Sequence, residues 1–181
     1  MKSCERTAPV SIEQLETERL VLEPIGPHHA RTLFPFVSDV RLFTYVDQEP
    51  PLSEKALEMR YRGWSTGLSP DGTELWLNWA ARLRGTETYI GWFQATVHAD
   101  PTAEIAYVTF VEHQRHGFAR EASAAVIGYL IRVHRISTIT ATVDPRNDAS
   151  IAVARSLGMR EETGAGKNAH FIVDAGDVIA S

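Results

Sequence analysis

The order of apolar and polar positions changes period several times along the chain, and each change marks an element. Arg19-Leu20-Val21-Leu22-Glu23-Pro24-Ile25 alternates apolar residues with charge and then meets proline, the pattern of an edge strand. From about Pro27 to Phe36, a stripe of Ala30, Leu33, Phe34 and Val37 predicts a short helix with proline in its first turn. Ser53 reads as the N-cap of a second helix, in which Leu57, Tyr61, Trp64 and Leu68 recur at helical spacing until Gly67 and Pro70-Asp71-Gly72 end it.

The period then falls to two: Leu75, Leu77, Trp79, Ala81 and Leu83 occupy every second position. A turn at Arg84-Gly85-Thr86 leads into a strand from about Tyr89 to Val97, and Ala99-Asp100-Pro101 leads into another from Glu104 through Phe110. Short loops between neighbouring strands imply an antiparallel meander. Between Gly117 and His134 the helical period returns in Ala122, Ala125, Val126, Tyr129, Leu130 and Val133. Ile139, Ala141 and Val143 then alternate with threonines as a strand. After a turn at Asp144-Pro145-Arg146, Asn147 caps a helix carrying Ile151, Ala154 and Leu157, with Gly158 at its C-terminal cap. One or two short strands near Phe171 close the sheet. The expected fold class is α/β, more closely an α+β mixed sheet: a meander, then helix, strand, helix, with the helices packed on the sheet.

Composition narrows the function classes. A chain of 181 residues, 44% hydrophobic, suits one core, read as a flexible leader over residues 1–16 and a single domain over 17–181. The longest uncharged apolar stretch, Ala122 to Ile131, is far short of the ~18 residues that span a bilayer, and the N-terminus has no signal-like apolar core. No membrane partner is expected, and a cytoplasmic location is. Cys4 alone allows no internal disulfide, and His113 with His116 lacks a third ligand, so no metal is expected. A formal charge of −5 argues against nucleic acid as partner. Gly164-Ala165-Gly166-Lys167 lacks the earlier glycine of a phosphate-binding loop, since Glu161 stands there, and reads as a hairpin loop.

The chemistry is concentrated in Glu112-His113-Gln114-Arg115-His116-Gly117-Phe118-Ala119-Arg120-Glu121-Ala122. A strand running into a helix through a turn with Gly117 and the small Ala119 leaves backbone N–H groups unpaired at the positive end of the helix dipole. Such a place binds phosphate. Arg115, His116 and Arg120 add positive charge.

Here the chain resembles the GNAT acetyltransferase superfamily, whose signature is Gln or Arg, two residues, Gly, one residue, then Gly or Ala. Thr17-Glu18-Arg19-Leu20-Val21-Leu22 with Pro24-Ile25, Ile90-Gly91-Trp92, Ile105-Ala106-Tyr107, Asn147-Asp148-Ala149-Ser150 and Leu157-Gly158-Met159 are similar, in order, to the branch that includes the RimJ- and RimL-like ribosomal-protein N-terminal acetyltransferases. The resemblance covers roughly residues 17 to 163. It implies an acyl-coenzyme A acyltransferase fold with splayed central strands, acetyl-coenzyme A as cosubstrate, and a protein N-terminus or small amine as acceptor. The protein would be a monomer or homodimer. Backbone groups near Thr109 and Val111 would bond the pantetheine arm, amides from Gln114 through Arg120, Phe118 included, would hold the pyrophosphate, and Asn147 would contact the pantetheine region. Glu104 matches a frequent general base and Ser150 a proposed thiolate proton donor. Many relatives carry a tyrosine seven residues beyond the asparagine, where this chain has Ala154. That departure leaves a catalytically weak acyl-coenzyme A sensor as the alternative. Phe43 and Tyr45 are the expected acceptor contacts, in a groove built from the segment between Phe36 and Leu68.

Overall fold

A computed structural model describes residues 10–46, 48–162 and 166–179. Its elements run β1 (Leu15–Glu16), β2 (Leu20–Pro24), α1 (His29–Val37), α2 (Glu54–Trp64), β3 (Leu75–Leu83), β4 (Tyr89–Val97), β5 (Thr102–Thr109), α3 (Phe118–His134), β6 (Thr138–Val143), α4 (Asp148–Ser156), β7 (Arg160–Glu162), β8 (Ala169–Asp174) and α5 (Ala175–Ile179). One mixed sheet takes the order β1-β2-β3-β4-β5-β6-β8-β7, antiparallel throughout except where β5 meets β6. No helix among the described residues is long and apolar enough to cross a membrane.

Strand alternation splits the core between the two faces of the sheet. Leu77, Trp79, Phe93, Ala95 and Ile105 pack with Ala122, Val126, Tyr129 and Leu130 of α3 on one face. Ala80 and Phe110 pack with Leu33, Val37, Leu57 and Tyr61 of α1 and α2 on the other. Gly91 is required where β4 crosses β5, because a Cβ there would run into the Val108 carbonyl oxygen.

Several sequence expectations shift. The strand that carries Pro24 is not at the edge, since β1 pairs with it at Leu15↔Leu22 and Glu16↔Val21; Pro24 lies beyond that cover. Part of the expected leader joins the fold. Val10 N–H donates to Thr66 O at 2.9 Å, and the Trp79 indole donates to Glu13 O at 2.8 Å. Residues 1–9, with Cys4, lie outside the described residues, as do Gly164 and Ala165 of the expected hairpin loop between β7 and β8. Helix α2 stops at Trp64, and Leu68 bridges to Leu75 instead, because Gly67 turns the chain at a φ of 72°.

The feature that positions the site is an interrupted pairing. Strands β5 and β6 run side by side only from Thr102↔Thr138 to Glu104↔Thr140. Beyond that, β5 stays with β4 as far as Thr109, while β6 stays with β8 as far as Val143. The two halves of the sheet therefore part, as the family resemblance implied.

Candidate active site

Backbone alternation decides what faces the gap. Phe110 N–H bonds to Ile90 O and Thr102 O accepts from His98 N–H, so even-numbered residues of β5 point their backbone groups at β4. Odd-numbered Tyr107 and Thr109 turn theirs toward the departing β6. Gln114 takes up two of the nearby carbonyls: its side chain donates to Thr109 O at 3.1 Å and its N–H to Val111 O at 3.4 Å. What Thr109 and Val111 offer is therefore N–H, not C=O, and Gln114 braces the turn with the amide it was expected to offer a ligand. Thr109 Oγ1 is buried with no hydrogen-bond partner among the described residues.

The turn itself is built on two left-handed residues. Gly117 has φ 79° and Arg115 φ 64°. The latter conformation costs a residue with a Cβ about 1–2 kcal/mol, and left- and right-handed residues in succession turn N–H groups into a concavity. The N–H groups of Arg115 through Arg120 have no protein partner among the described residues; the helical ladder begins with Glu121 N–H to Gly117 O at 3.1 Å. Of the three basic side chains expected to add charge, two are engaged by the protein. Arg120 Nε donates to Ser156 O at 3.2 Å, and the His116 ring bonds Gln114 O at 2.7 Å and stacks on Phe118. Among the described residues, Arg115 alone of the three makes no such bond.

On the face away from α3, Asn78, Gln94, Thr96 and Glu104 make a polar strip across β3, β4 and β5, with the Gln94 side chain donating to Asn78 Oδ1 at 2.5 Å. Ala106 is exposed although it lies on a central strand, so the sheet is open there. Glu104 has neither a hydrogen bond nor an ion pair among the described residues. Across the gap, Asn147 Oδ1 caps α4 by accepting from Ser150 N–H at 3.1 Å, which leaves the asparagine NH2 for other work. Ser150 Oγ makes no protein hydrogen bond among the described residues. Sequence reasoning missed one contact at the candidate site: the Tyr107 hydroxyl spans the gap and donates to Ser150 O at 2.8 Å. Burial pushes its pKa up to about 12. The only signal for it was its place in Ile105-Ala106-Tyr107. The position where relatives carry tyrosine, Ala154, is fully buried. Tyr45 and neighbouring Val46 are exposed on the segment after α1, while Phe43 closes a short 3-10 turn there.

A family model described as an acetyltransferase (GNAT) domain matches residues 19–160. The chain belongs to the GNAT acetyltransferases. Among relatives of this GNAT protein, an uncharacterized N-acetyltransferase of Bacillus subtilis, YoaA, is 30% identical over 151 residues, 82% of this chain and 83% of that one. Two solved structures share the fold. RimL, a ribosomal-protein alpha-N-acetyltransferase in complex with coenzyme A, has a TM-score of 0.78 at 17% identity over 92% of this chain and 99% of its own. Spermidine N-acetyltransferase from Vibrio cholerae, in complex with coenzyme A and spermine, has a TM-score of 0.73 at 17% identity over 90% of this chain and 99% of its own. As a GNAT acetyltransferase the protein is an acyl-transfer enzyme.

Proposed function

We propose that the protein moves the acetyl group of acetyl-coenzyme A to a primary amine, on a protein N-terminus or a small molecule, with both reactants bound together. The observation that carries this reading is the run of unpartnered amides from Arg115 to Arg120 at the mouth of the gap between β5 and β6. A diphosphate suits that concavity, and Thr109 Oγ1, buried without a partner, lies at the end of the strand that leads into it. The pantetheine arm would lie along Thr109 and Tyr107 as an added strand, and Val111 N–H and the Asn147 side chain would hold it from either side.

The acceptor enters from the open face at Ala106. Glu104, unpaired beside it, takes the proton from the ammonium, directly or through a water. The neutral amine then attacks, the C–N bond forms as the C–S bond breaks, the attacking nitrogen gives its second proton to water, and Ser150 Oγ gives the thiolate a proton that solvent restores, while Glu104 returns its own proton to solvent. Tyr107 holds the first turn of α4, and with it Ser150 and Asn147, at a set distance from β5. Orientation of the two reactants can by itself supply ~7 kcal/mol of barrier lowering. A cytoplasmic location, where acetyl-coenzyme A is available, fits this reading.

Gly117→Val tests the cradle. A branched side chain disfavours the left-handed backbone that aims the amides, while among the described residues its Cβ would meet only Arg19 Nη2, at 3.4 Å. The expected result in calorimetric titration is coenzyme A affinity weakened by about tenfold or more, ~1.4 kcal/mol, with the circular dichroism spectrum retained. Unchanged affinity would remove the reading.

A further inference from the structure

The Thr17–Arg19 segment, similar to the family's opening motif, has no part in the mechanism above, yet it meets the cofactor turn a hundred residues away. Arg19 Nε pairs with Glu121 Oε2 at 2.6 Å, while Arg19 N–H and Thr17 Oγ1 donate to Glu121 Oε1 at 2.9 and 2.6 Å. Arg19 Nη1 donates to His116 O at 3.0 Å, and its Cζ lies 4.7 Å from the Phe118 ring centroid. One arginine thus touches the turn at His116, Phe118 and Glu121.

The peptide plane gives these contacts a consequence. In a trans peptide, C=O and the following N–H point in opposite directions. Arg19 draws His116 O outward, so Gly117 N–H is aimed inward; the His116 ring, by holding Gln114 O, does the same for Arg115 N–H. Charge matters as well, because the Glu121 carboxylate in the first turn of α3 would repel an anion at the helix terminus. Partial burial alone would raise its pKa, but the hydrogen bonds from Thr17 and Arg19 hold it below the usual carboxylate range. Glu121 is therefore ionised, and the Arg19 guanidinium offsets it.

We propose that Arg19, clamped by Glu121 and Thr17, is a positioning residue that aims the amides of the turn at the diphosphate of coenzyme A. The inference rests on the cradle reading. Its test compares two ligands by titration, coenzyme A and pantetheine, which lacks the diphosphate. Arg19→Gln should weaken coenzyme A about tenfold and leave pantetheine unchanged; Thr17→Val, which removes one bond to Glu121, should give a smaller loss of the same kind and stands in if the first variant does not fold. Equal loss on both ligands, or no loss on coenzyme A, overturns the positioning role while leaving the cradle standing. If the wild-type protein itself binds pantetheine as tightly as coenzyme A, the cradle reading falls and this inference with it.

Discussion

Glu104 stands at the last register position that β5 shares with β6, where the sheet begins to part, and no cation among the described residues pairs with its carboxylate. A base in that place matters most when the amine arrives protonated. Glu104→Gln is accordingly expected to lower kcat/KM by roughly a hundredfold, the low end of what general-base catalysis contributes, with the deficit shrinking as the pH rises past the pKa of the amine. A pH profile of acceptor-dependent thiol release checks this, and a uniform loss at every pH would assign Glu104 to structure instead. At this scale the left-handed turn at Gly117 was legible, because glycine at that offset before a helix marks a positive φ. The part played by Gln114 was not, since nothing local tells whether an amide faces a ligand or Val111 O. Tyr107 escaped for the same reason: its partner is on α4, more than forty residues away.

Among the elements, β2, α1, β3 and β4 are joined by one half-buried polar cluster, with His29 its buried member. Glu23 accepts from Arg82 Nε at 2.6 Å, from the Tyr89 hydroxyl at 2.8 Å and from His29 Nε2 at 3.3 Å. His29 Nδ1 accepts from Gly26 N–H at 3.0 Å, so the ring is neutral with its proton on Nε2. Burial, with the neighbouring His28 charge, depresses the His29 pKa despite Glu23. A group that resists protonation only when folded costs stability as pH falls below its unfolded value, here about 6.5. The melting temperature should therefore decline between pH 7 and about pH 5, ahead of the acid range in which Glu23 and the other carboxylates with lowered pKa values lose their partners. His29→Gln, which can still donate to Glu23 but does not titrate, should flatten that decline; an equal slope in the variant would locate its source elsewhere. The elements themselves were largely legible, because each buries one face and its period shows it. The exceptions have tertiary causes: β1 is too short to have a period, and Leu68 belongs to a bridge that a helical count cannot foresee.

For the whole molecule, a ligand that fills the gap binds only where both halves of the sheet are assembled, so it should stabilise the fold by mass action. At a hundredfold excess over Kd the gain is about 2.7 kcal/mol, which for a chain of this size raises the melting temperature by roughly 5–10 °C. Differential scanning with increasing coenzyme A checks this; a melting temperature indifferent to ligand would contradict a site formed by the folded sheet. The sequence by itself determined the meander, the α3 helix, the glycine turn between them and the family, because period, turn chemistry and motif spacing act over a few residues and survive in one dimension. Only the tertiary structure decided that the turn's His116 and Arg120 side chains are held by the protein, that Tyr107 reaches Ser150, and that Arg19 wraps the turn at Glu121. Those choices depend on hydrogen-bond donors and acceptors far apart in the chain meeting at about 3 Å, and no local pattern of residues encodes such a meeting.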